Sequence, residues 1–368
     1  MQRILALFLG ILLMFTLWIP PAEAHDAPGV SARSFVLMDA GTGTILAEQN
    51  ADTQMLVAST TKILTAALAL EHADPDEVVE IMPEAVGIEG SSMYLRAGEE
   101  ITVRDLLYGL MLASGNDAAV ALAYHVAGGI PEFAILMNEK AVELGMEQSH
   151  FSNPHGLDAE DHYSTARDMA LLTAWAMGMP DFVQIVSTRQ VQAAGRSLVN
   201  HNKLLWRYEG ALGVKTGFTK ASGRSLVSAA ERNGTMLICV TLSAPDDWDD
   251  HVALYDWGFA RYKYHAPIVA GDVYVTVPVI AGMQDQVDLV AEMNLSLLVS
   301  PDDVVTVDMQ VPRFVYAVVR ANEQAGRVIV LVNGEPALET RLLFAETVDL
   351  DESNRLRFWE TVRWRLGM

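Results

Sequence analysis

Ser59 and Lys62 stand three positions apart in a run of small and apolar residues that extends from Val57 to Leu70. The run predicts a buried helix, in which an unpaired ammonium group is costly to desolvate. Residues at positions i and i+3 lie on one face of a helix, so Ser59 Oγ and Lys62 Nζ can meet there. Burial and the positive end of the helix dipole both favour a neutral lysine, which can act as the base for a serine nucleophile. The pair therefore predicts nucleophilic catalysis.

Two further triplets carry polar groups of the same kind. A serine followed three residues later by lysine is a weak signal alone, and Lys62 could instead extend to water from an amphipathic helix. However, Ser114-Gly115-Asn116 lies in a turn between two predicted helices, and Lys215-Thr216-Gly217 lies in a predicted strand. The order S-x-x-K, S-x-N, K-T-G is typical of penicillin-interacting serine enzymes.

On these motifs the chain resembles the low-molecular-mass penicillin-binding proteins, which are serine-type D-alanyl-D-alanine carboxypeptidases. The resemblance extends to Asn153-Pro-His-Gly-Leu157, to His162-Tyr-Ser-Thr-Ala-Arg-Asp168 and to the Val-rich segment near the carboxyl end. It implies removal of the terminal D-alanine from peptidoglycan stem pentapeptides during cell-wall synthesis or remodelling. It also implies acylation by β-lactam antibiotics and no cofactor.

The resemblance assigns a role to each motif. Ser59 is expected to attack the carbonyl between the two D-alanines while Lys62 accepts its proton, which gives an acyl-enzyme that water hydrolyses. The backbone N–H groups of Ser59 and Phe218 are expected to form the oxyanion hole. Ser114 and Asn116 are expected to relay a proton and to orient the substrate amide.

Substrate binding is assigned to the K-T-G strand. Lys215 is expected to attract the terminal carboxylate and to keep Lys62 neutral, Thr216 to hydrogen-bond that carboxylate, and Gly217 and Phe218 to complete the subsite. His155 borders the site in related enzymes, although a lone histidine is more often structural.

The chain departs from the family pattern ahead of its closing helix. Relatives often place an arginine there to bind the substrate carboxylate, but this segment reads Asp246-Asp-Trp-Asp-Asp-His251 and has no basic residue. Either Lys215 and Thr216 suffice, or another cation replaces the arginine. The acidic cluster is interpreted as helix capping and a solvated face rather than a metal site, so no metal is predicted.

The elements around these motifs predict an α/β fold, namely a β-lactamase/transpeptidase-like sandwich. A hairpin is predicted from Phe35 to Glu48, followed by helices that include Thr102 to Met111 and Ser164 to Ala176. Strands are then predicted at residues 211–219, 224–231 and 235–243, with a closing helix over 247–259. The sheet is expected to be assembled from both ends of this segment. We assign the catalytic domain to residues 25–262.

A small all-β domain is predicted for residues 266–348, which are rich in Val with Gly and Pro between the runs. The last segment, residues 350–368, has Leu356, Trp359, Val362 and Leu366 at helical spacing, together with four arginines. This amphipathic tail is interpreted as a helix that binds the membrane surface, and the alternative is a helix that caps the β domain.

The amino-terminal 24 residues are interpreted as a signal peptide, because Arg3 precedes an apolar stretch and Ala22-Glu-Ala24 offers a cleavage site before His25. A retained anchor is the alternative, and no later segment resembles a membrane span.

The formal net charge of −22 excludes nucleic acid as a partner. We expect an exported protein that is peripheral on the outer face of the cytoplasmic membrane. Cys239 is the only cysteine, so no intrachain disulfide is possible.

Three functions other than D-alanyl-D-alanine carboxypeptidase are alternatives. A class A β-lactamase shares the three motifs, but the region from His155 to Ser164 has Glu160 without the glutamate-x-x-leucine-asparagine pattern. A catalytically silent wall-binding protein is disfavoured by the intact Ser59, Lys62 and Lys215. Endopeptidase action on D-alanyl cross-links remains open.

Overall fold

The computed structural model describes residues 27–351 together with residues 353, 363, 365 and 367. The predicted signal peptide and nearly all of the predicted tail helix therefore lie outside the described residues. Two compact units divide the described chain: residues 27–264 with Leu298–Pro301 form one, and residues 265–297 with 302–351 form the other. The domain boundaries given above stay predictions, because compactness alone does not show that either part folds by itself.

The first unit combines eight helices with a five-stranded sheet and two small two-stranded sheets. The helices are α1 Lys62–His72, α2 Val103–Leu112, α3 Asn116–Ala127, α4 Ile130–Glu143, α5 Ala166–Met177, α6 Pro180–Ser187, α7 Leu204–Arg207 and α8 Asp247–Arg261, and 3-10 turns cover Ala58–Thr61 and Pro83–Ala85. The strands are β1 Ser34–Asp39, β2 Ile45–Gln49, β3 Val78–Glu80, β4 Glu100–Thr102, β5 Gln190–Ala193, β6 Arg196–Val199, β7 Ala211–Thr219, β8 Gly223–Arg232 and β9 Thr235–Leu242.

The main sheet has the strand order β2-β1-β9-β8-β7, and its neighbouring strands are antiparallel. Strands from the two ends of the unit thus meet in one sheet, and the predicted sandwich is confirmed. Side chains of β1 alternate between its faces: Val36 and Met38 enter the larger core with α1 and α5, whereas Phe35 and Leu37 enter the smaller core under α8. The sheet therefore separates two apolar layers, each covered by helices.

Helix α1 is the central helix of the larger core. Its first eight residues, from Lys62 to Ala69, are all buried, which agrees with a sequence that is apolar on every side. Helix α2 begins after Thr102, whose side chain accepts a hydrogen bond from the backbone N–H of Asp105 at 3.1 Å. Prediction missed α6, α7 and the β5–β6 hairpin, because elements of four to eight residues are too short to show a clear period.

The second unit is built of strands, as predicted for its all-β domain. The strands that follow β9 along the chain are β10 Lys263–Ile268, β11 Val273–Ile280, β12 Gln286–Ala291, β13 Leu295–Val299, β14 Val305–Gln310, β15 Val315–Tyr316, β16 Gln324–Val332 and β17 Glu335–Phe344. Six of them form a sheet in the order β14-β16-β17-β12-β11-β15, while β10 pairs with β13. The pairing of β15 with β11 is parallel.

Among residues 27–351, no single helix is both long and apolar enough to cross a bilayer. Two pairs of consecutive helices, α3 with α4 and α5 with α6, reach that length and apolar character only when the two helices are counted together, and they are bent by 83° and 108° where they meet.

Candidate active site

Ser59 lies in the 3-10 turn that leads into α1, and Lys62 is the first residue of that helix. The side chain of Lys62 is fully buried, and its Nζ lies 2.9 Å from Ser59 Oγ. Two further oxygen atoms contact Nζ: the side-chain amide oxygen of Asn116 at 2.7 Å and the backbone oxygen of His155 at 2.6 Å. The predicted contact between serine and lysine is therefore present, and Lys62 has three hydrogen-bond partners.

The electrostatic surroundings of Lys62 favour its neutral form. Burial lowers the pKa of Lys62 well below its usual value, the positive charge of Lys215 lowers it further, and Asp117 opposes both effects. Burying a charged ammonium costs desolvation free energy, whereas burying a neutral amine costs much less.

Ser114 and Asn116 bracket the start of α3. Ser114 has a positive φ of 60°, in the left-handed region, so its side chain leaves the chain at a sharp turn between α2 and α3. The Asn116 amide nitrogen donates to the backbone oxygen of Glu89 at 2.5 Å, which orients the Oδ1 atom toward Lys62. Ser114 lines the same cleft, but within residues 27–351 it has no hydrogen bond to Lys62.

Strand β7 carries the K-T-G motif along the edge of the main sheet. A side chain at Gly217 would press on the turn of Ser59, because an added Cβ would lie 3.0 Å from the backbone oxygen of Val57. Glycine therefore allows β7 to approach the serine closely. Since β7 pairs with β8 on one side only, half of its main-chain groups point away from the sheet.

Lys215 is buried and donates from Nζ to the backbone oxygen of Thr216 at 2.9 Å. Burial lowers its pKa to about 7. Thr216 is half-buried, whereas Phe218 is exposed over 65% of its surface. Lys215 is thus buried close enough to Lys62 and His201 to lower the pKa of both, and Thr216, Gly217 and Phe218 line the cleft.

A cleft of about 540 Å³ joins these motifs. Five of the eight predicted site residues line it, and the other three, Lys62, Asn116 and Lys215, are buried behind its wall. The lining residues are Ser59, Ser91, Ser114, Asn200, His201, Lys203, Thr216, Gly217, Phe218, Arg224, Asp247 and Trp248.

Arg224 is a cation of this cleft that sequence reasoning missed, and Lys203 is another. Arg224 stands opposite Phe218 in the register of β7 and β8, and its guanidinium donates to both carboxylate oxygens of Asp247 at 2.8 and 3.0 Å. The ring of Trp248 lies 5.8 Å from the guanidinium carbon. The signal available was an arginine directly ahead of the small and apolar run Ser225 to Ala230.

The acidic cluster before the closing helix has partners of its own. Asp247 holds Arg224, Asp250 accepts from the backbone and side chain of Ser31, and His251 is enclosed by Ser228 and Thr241. Within the described part of the chain, no group of three or more metal-ligating side chains is arranged to hold an ion.

His155 contributes its backbone rather than its ring. Its imidazole Nδ1 accepts from the backbone N–H of Leu157 at 3.2 Å, and burial together with the charge of Lys62 lowers its pKa to about 3. His162 has a supporting position: its Nδ1 accepts from the N–H of Ser152, so its Nε2–H is the donor to Thr61 Oγ1 at 2.8 Å. That contact fixes the residue immediately before Lys62.

Comparison with known proteins identifies the class. Residues 21–246 match the D-alanyl-D-alanine carboxypeptidase family, and residues 262–350 match the penicillin-binding protein 5 C-terminal domain. The chain therefore belongs to the D-alanyl-D-alanine carboxypeptidase family and is a serine peptidase of the low-molecular-mass penicillin-binding group. The resemblance seen in the sequence is confirmed.

Individual relatives cover most of the chain. D-alanyl-D-alanine carboxypeptidase DacF of Bacillus subtilis is 31% identical over 363 residues, which span 92% of this chain and 93% of the relative. DacC of Escherichia coli is 36% identical over 283 residues, spanning 73% of this chain and 71% of the relative. Penicillin-binding protein 5 from Haemophilus influenzae has a similar solved structure, with a TM-score of 0.72, 30% identity and coverage of 88% of this chain and 99% of that one.

Proposed function

We propose that this chain removes the terminal D-alanine from peptidoglycan stem pentapeptides through an acyl-enzyme on Ser59. The reaction belongs outside the cytoplasm, in cell-wall synthesis or remodelling. The observation that carries the proposal is the set of three contacts around Lys62 Nζ.

Those contacts, together with the lowered pKa of Lys62, fit a neutral lysine. A neutral amine has two N–H bonds and one lone pair, whereas an ammonium has three N–H bonds and no lone pair. Asn116 Oδ1 and the His155 backbone oxygen can only accept, so they take the two N–H bonds. The lone pair is then left for the hydroxyl of Ser59, which donates its proton to Lys62. This is the geometry that a general base requires.

Acylation follows from that contact. Ser59 Oγ attacks the carbonyl carbon between the two D-alanines as its proton passes to Lys62 Nζ. The N–H groups of Ser59 and Phe218 stabilise the oxyanion, and loss of one such donor typically costs about 100-fold or more in rate. The C–N bond then breaks, and the leaving D-alanine amine takes a proton that Ser114 relays from Lys62. Water hydrolyses the resulting ester and restores Ser59. Asn116 orients Lys62 and the substrate amide.

The substrate carboxylate binds in the cleft beside β7. The buried Lys215 provides positive charge, Thr216 donates a hydrogen bond from its hydroxyl, and Gly217 and Phe218 shape the wall. Arg224 takes the place of the arginine that relatives carry ahead of the closing helix, because it faces the cleft and Asp247 holds it in one orientation.

β-Lactams are expected to acylate the same serine, since their strained amide meets the same nucleophile and oxyanion hole. The tail at residues 350–368 is expected to bind the outer face of the cytoplasmic membrane through its apolar stripe and its arginines.

The test measures D-alanine release from a stem pentapeptide that ends in D-Ala-D-Ala, with and without prior benzylpenicillin. We expect release that penicillin abolishes. Ser59→Ala and Lys62→Ala should each lose acylation while circular dichroism stays unchanged, and Lys220→Ala, which changes an exposed lysine, should behave as wild type. A Lys62→Ala variant that acylates at the normal rate would refute the role of Lys62. Penicillin acylation without D-alanine release would favour cross-linked substrates or a binding role.

A further inference from the structure

An exposed apolar patch lies at one edge of the second unit, outside the active site. Phe314, Tyr316 and Val318 expose 48%, 67% and 51% of their surfaces, and Ile280 on the neighbouring strand exposes 45%. Ile280 pairs with Tyr316 in the register of β11 and β15, and the rings of Phe314 and Tyr316 lie 5.6 Å apart in a T-shaped contact. We call these four residues the edge patch. Contiguous apolar exposure of this kind usually marks an interaction surface.

The charge around the edge patch differs from that of the rest of the chain. Arg313 and Arg320 are both exposed and stand at the two ends of the segment that carries Phe314, Tyr316 and Val318. No acidic residue occurs between Asp308 and Glu323, although the whole chain has 47 acids in 368 residues. Acidic residues lie on the far side of Ile280: Asp285 is on the turn after β11, and the backbones of Asp349 and Asp351 pair with Met283 and Ala281. The segment from Arg313 to Arg320 thus combines aromatic and apolar side chains with two arginines and no acid, a composition that favours the interface of an anionic membrane.

The position at which the described chain ends points to the same surface. The backbone oxygen of Ile280 accepts from the N–H of Ala317 at 3.0 Å, which joins β15 to β11. The oxygen of the next residue, Ala281, accepts from the N–H of Asp351 at 2.9 Å. The described chain therefore reaches Asp351 beside the edge patch, and the sequence that follows includes the four arginines Arg355, Arg357, Arg363 and Arg365.

We propose that the edge patch docks on an anionic lipid bilayer and forms a second membrane contact beside the tail. Phe314, Tyr316, Val318 and Ile280 enter the interfacial region, while Arg313 and Arg320 contact lipid phosphates. Two contacts that start from adjacent positions hold the second unit in a defined orientation, whereas a tail alone would leave it free to rotate. The proposal does not depend on the chemistry assigned to Ser59.

The test uses the chain from His25 to Met368, because the apolar leader would itself bind lipid. Co-sedimentation with vesicles of phosphatidylglycerol and phosphatidylethanolamine measures the partition coefficient. The double variant Phe314→Ser/Tyr316→Ser should partition at least about tenfold more weakly, since two aromatic side chains no longer leave water. The matched control is Val304→Ser/Val307→Ser, which changes exposed residues at the β14 edge of the same sheet and should leave the partition unchanged.

Further variants separate the contribution of Arg313 and Arg320 to binding from the contribution of the tail. Arg313→Gln and Arg320→Gln should each weaken binding to phosphatidylglycerol vesicles by about fivefold at low salt and leave binding to phosphatidylcholine vesicles unchanged. The patch effect should persist when the four tail arginines are replaced by glutamine. An unchanged partition of the Phe314→Ser/Tyr316→Ser variant in both tail backgrounds would overturn the proposal. A loss of self-association in sedimentation velocity with no loss of vesicle binding would also overturn it, in favour of a second copy as the occupant.

Discussion

The backbone oxygen of His155 lies 2.6 Å from Lys62 Nζ, the shortest of the three contacts that surround that amine. A tight turn presents this oxygen. Asn153 Oδ1 accepts from the N–H of Gly156 at 2.7 Å, and Thr65 Oγ1 donates to the backbone oxygen of Pro154 at 2.6 Å. The turn is thus attached to α1, and the imidazole of His155 has no part in the contact.

This arrangement predicts opposite results at two neighbouring positions. Gly156 has a φ of +82°, and an added Cβ would lie 1.9 Å from the backbone oxygen of Ala58. Gly156→Ala must therefore displace either the turn or the residue before Ser59, and we expect penicillin acylation to slow at least about 100-fold. His155→Asn keeps the backbone oxygen and should acylate within about threefold of wild type. Stopped-flow acylation kinetics measure both, and a larger loss in His155→Asn than in Gly156→Ala would show that the ring is required.

The pH dependence should show the state of Lys215. Its pKa is lowered to about 7 by burial, so in the free enzyme it loses its positive charge as the pH rises through 7. The substrate carboxylate loses that partner, and kcat/KM should fall on the alkaline side with an apparent pKa near 7. The alkaline fall of kcat should come at higher pH, because bound carboxylate raises the pKa of Lys215. Lowering the pH protonates Lys62 and produces the acid limb.

The control for the pH profile is Lys215→Arg, which keeps a charge that does not titrate in this range. Its maximal activity should be lower, but its alkaline limb should move to higher pH. An alkaline limb that stays near 7 in this variant would assign the titration to another group.

Arg224 should affect only substrates with a free carboxyl terminus. Removing a charge-assisted hydrogen bond to the carboxylate costs about 1.5–3 kcal/mol, so Arg224→Ala should lower kcat/KM by about 10- to 100-fold. A peptide that ends in D-alanine amide should be processed equally slowly by the variant and the wild type. Lys203→Ala, which changes another cation of the cleft, serves as the control. Equal losses with acid and amide substrates would show that Arg224 only supports the fold.

Asp117 should be important for stability. Its buried carboxylate accepts from Ser92 Oγ at 2.6 Å and from three backbone N–H groups, those of Met93, Leu95 and Ala118. Asp117→Ala leaves these donors without partners and should lower the free energy of unfolding in urea by at least about 3 kcal/mol. Asp76→Ala removes an exposed ion pair with Arg104 and should cost less than about 1 kcal/mol. Similar values for the two variants would contradict this account.

Sequence patterns identified the parts of the fold that depend on local periodicity or on short motifs. The hairpin of β1 and β2, helices α1 to α5 and the strands β7 to β9 all show clear alternation, helical spacing or turn residues, and the structure confirms them. The K-T-G triplet also placed Gly217 correctly in a strand. The physical reason for that glycine, close approach of the strand to the turn of Ser59, became visible only in three dimensions.

The contacts that prediction missed join residues far apart in sequence. Arg224 reaches the cleft because β8 pairs with β7 and because Asp247, 23 positions later, orients its guanidinium. The His155 backbone oxygen carries no signal in the sequence, since every residue has such a group. Sequence reasoning considered the His155 side chain, whereas the structure uses the main chain of the turn around it.

The order of strands in the main sheet constrains how the polypeptide is made. Strand β1 lies between β2 and β9, and Ser34 is partnered by Leu242, so the sheet lacks its central pairing until more than 200 further residues have left the ribosome. Long-range pairing of this kind is slow to form, and until it forms both apolar faces of β1 remain uncovered. A polypeptide whose sheet closes late therefore lacks its main-sheet tertiary contacts during most of its synthesis. Uncovered apolar strands are prone to aggregate, so a truncation before β9 should yield an aggregating product.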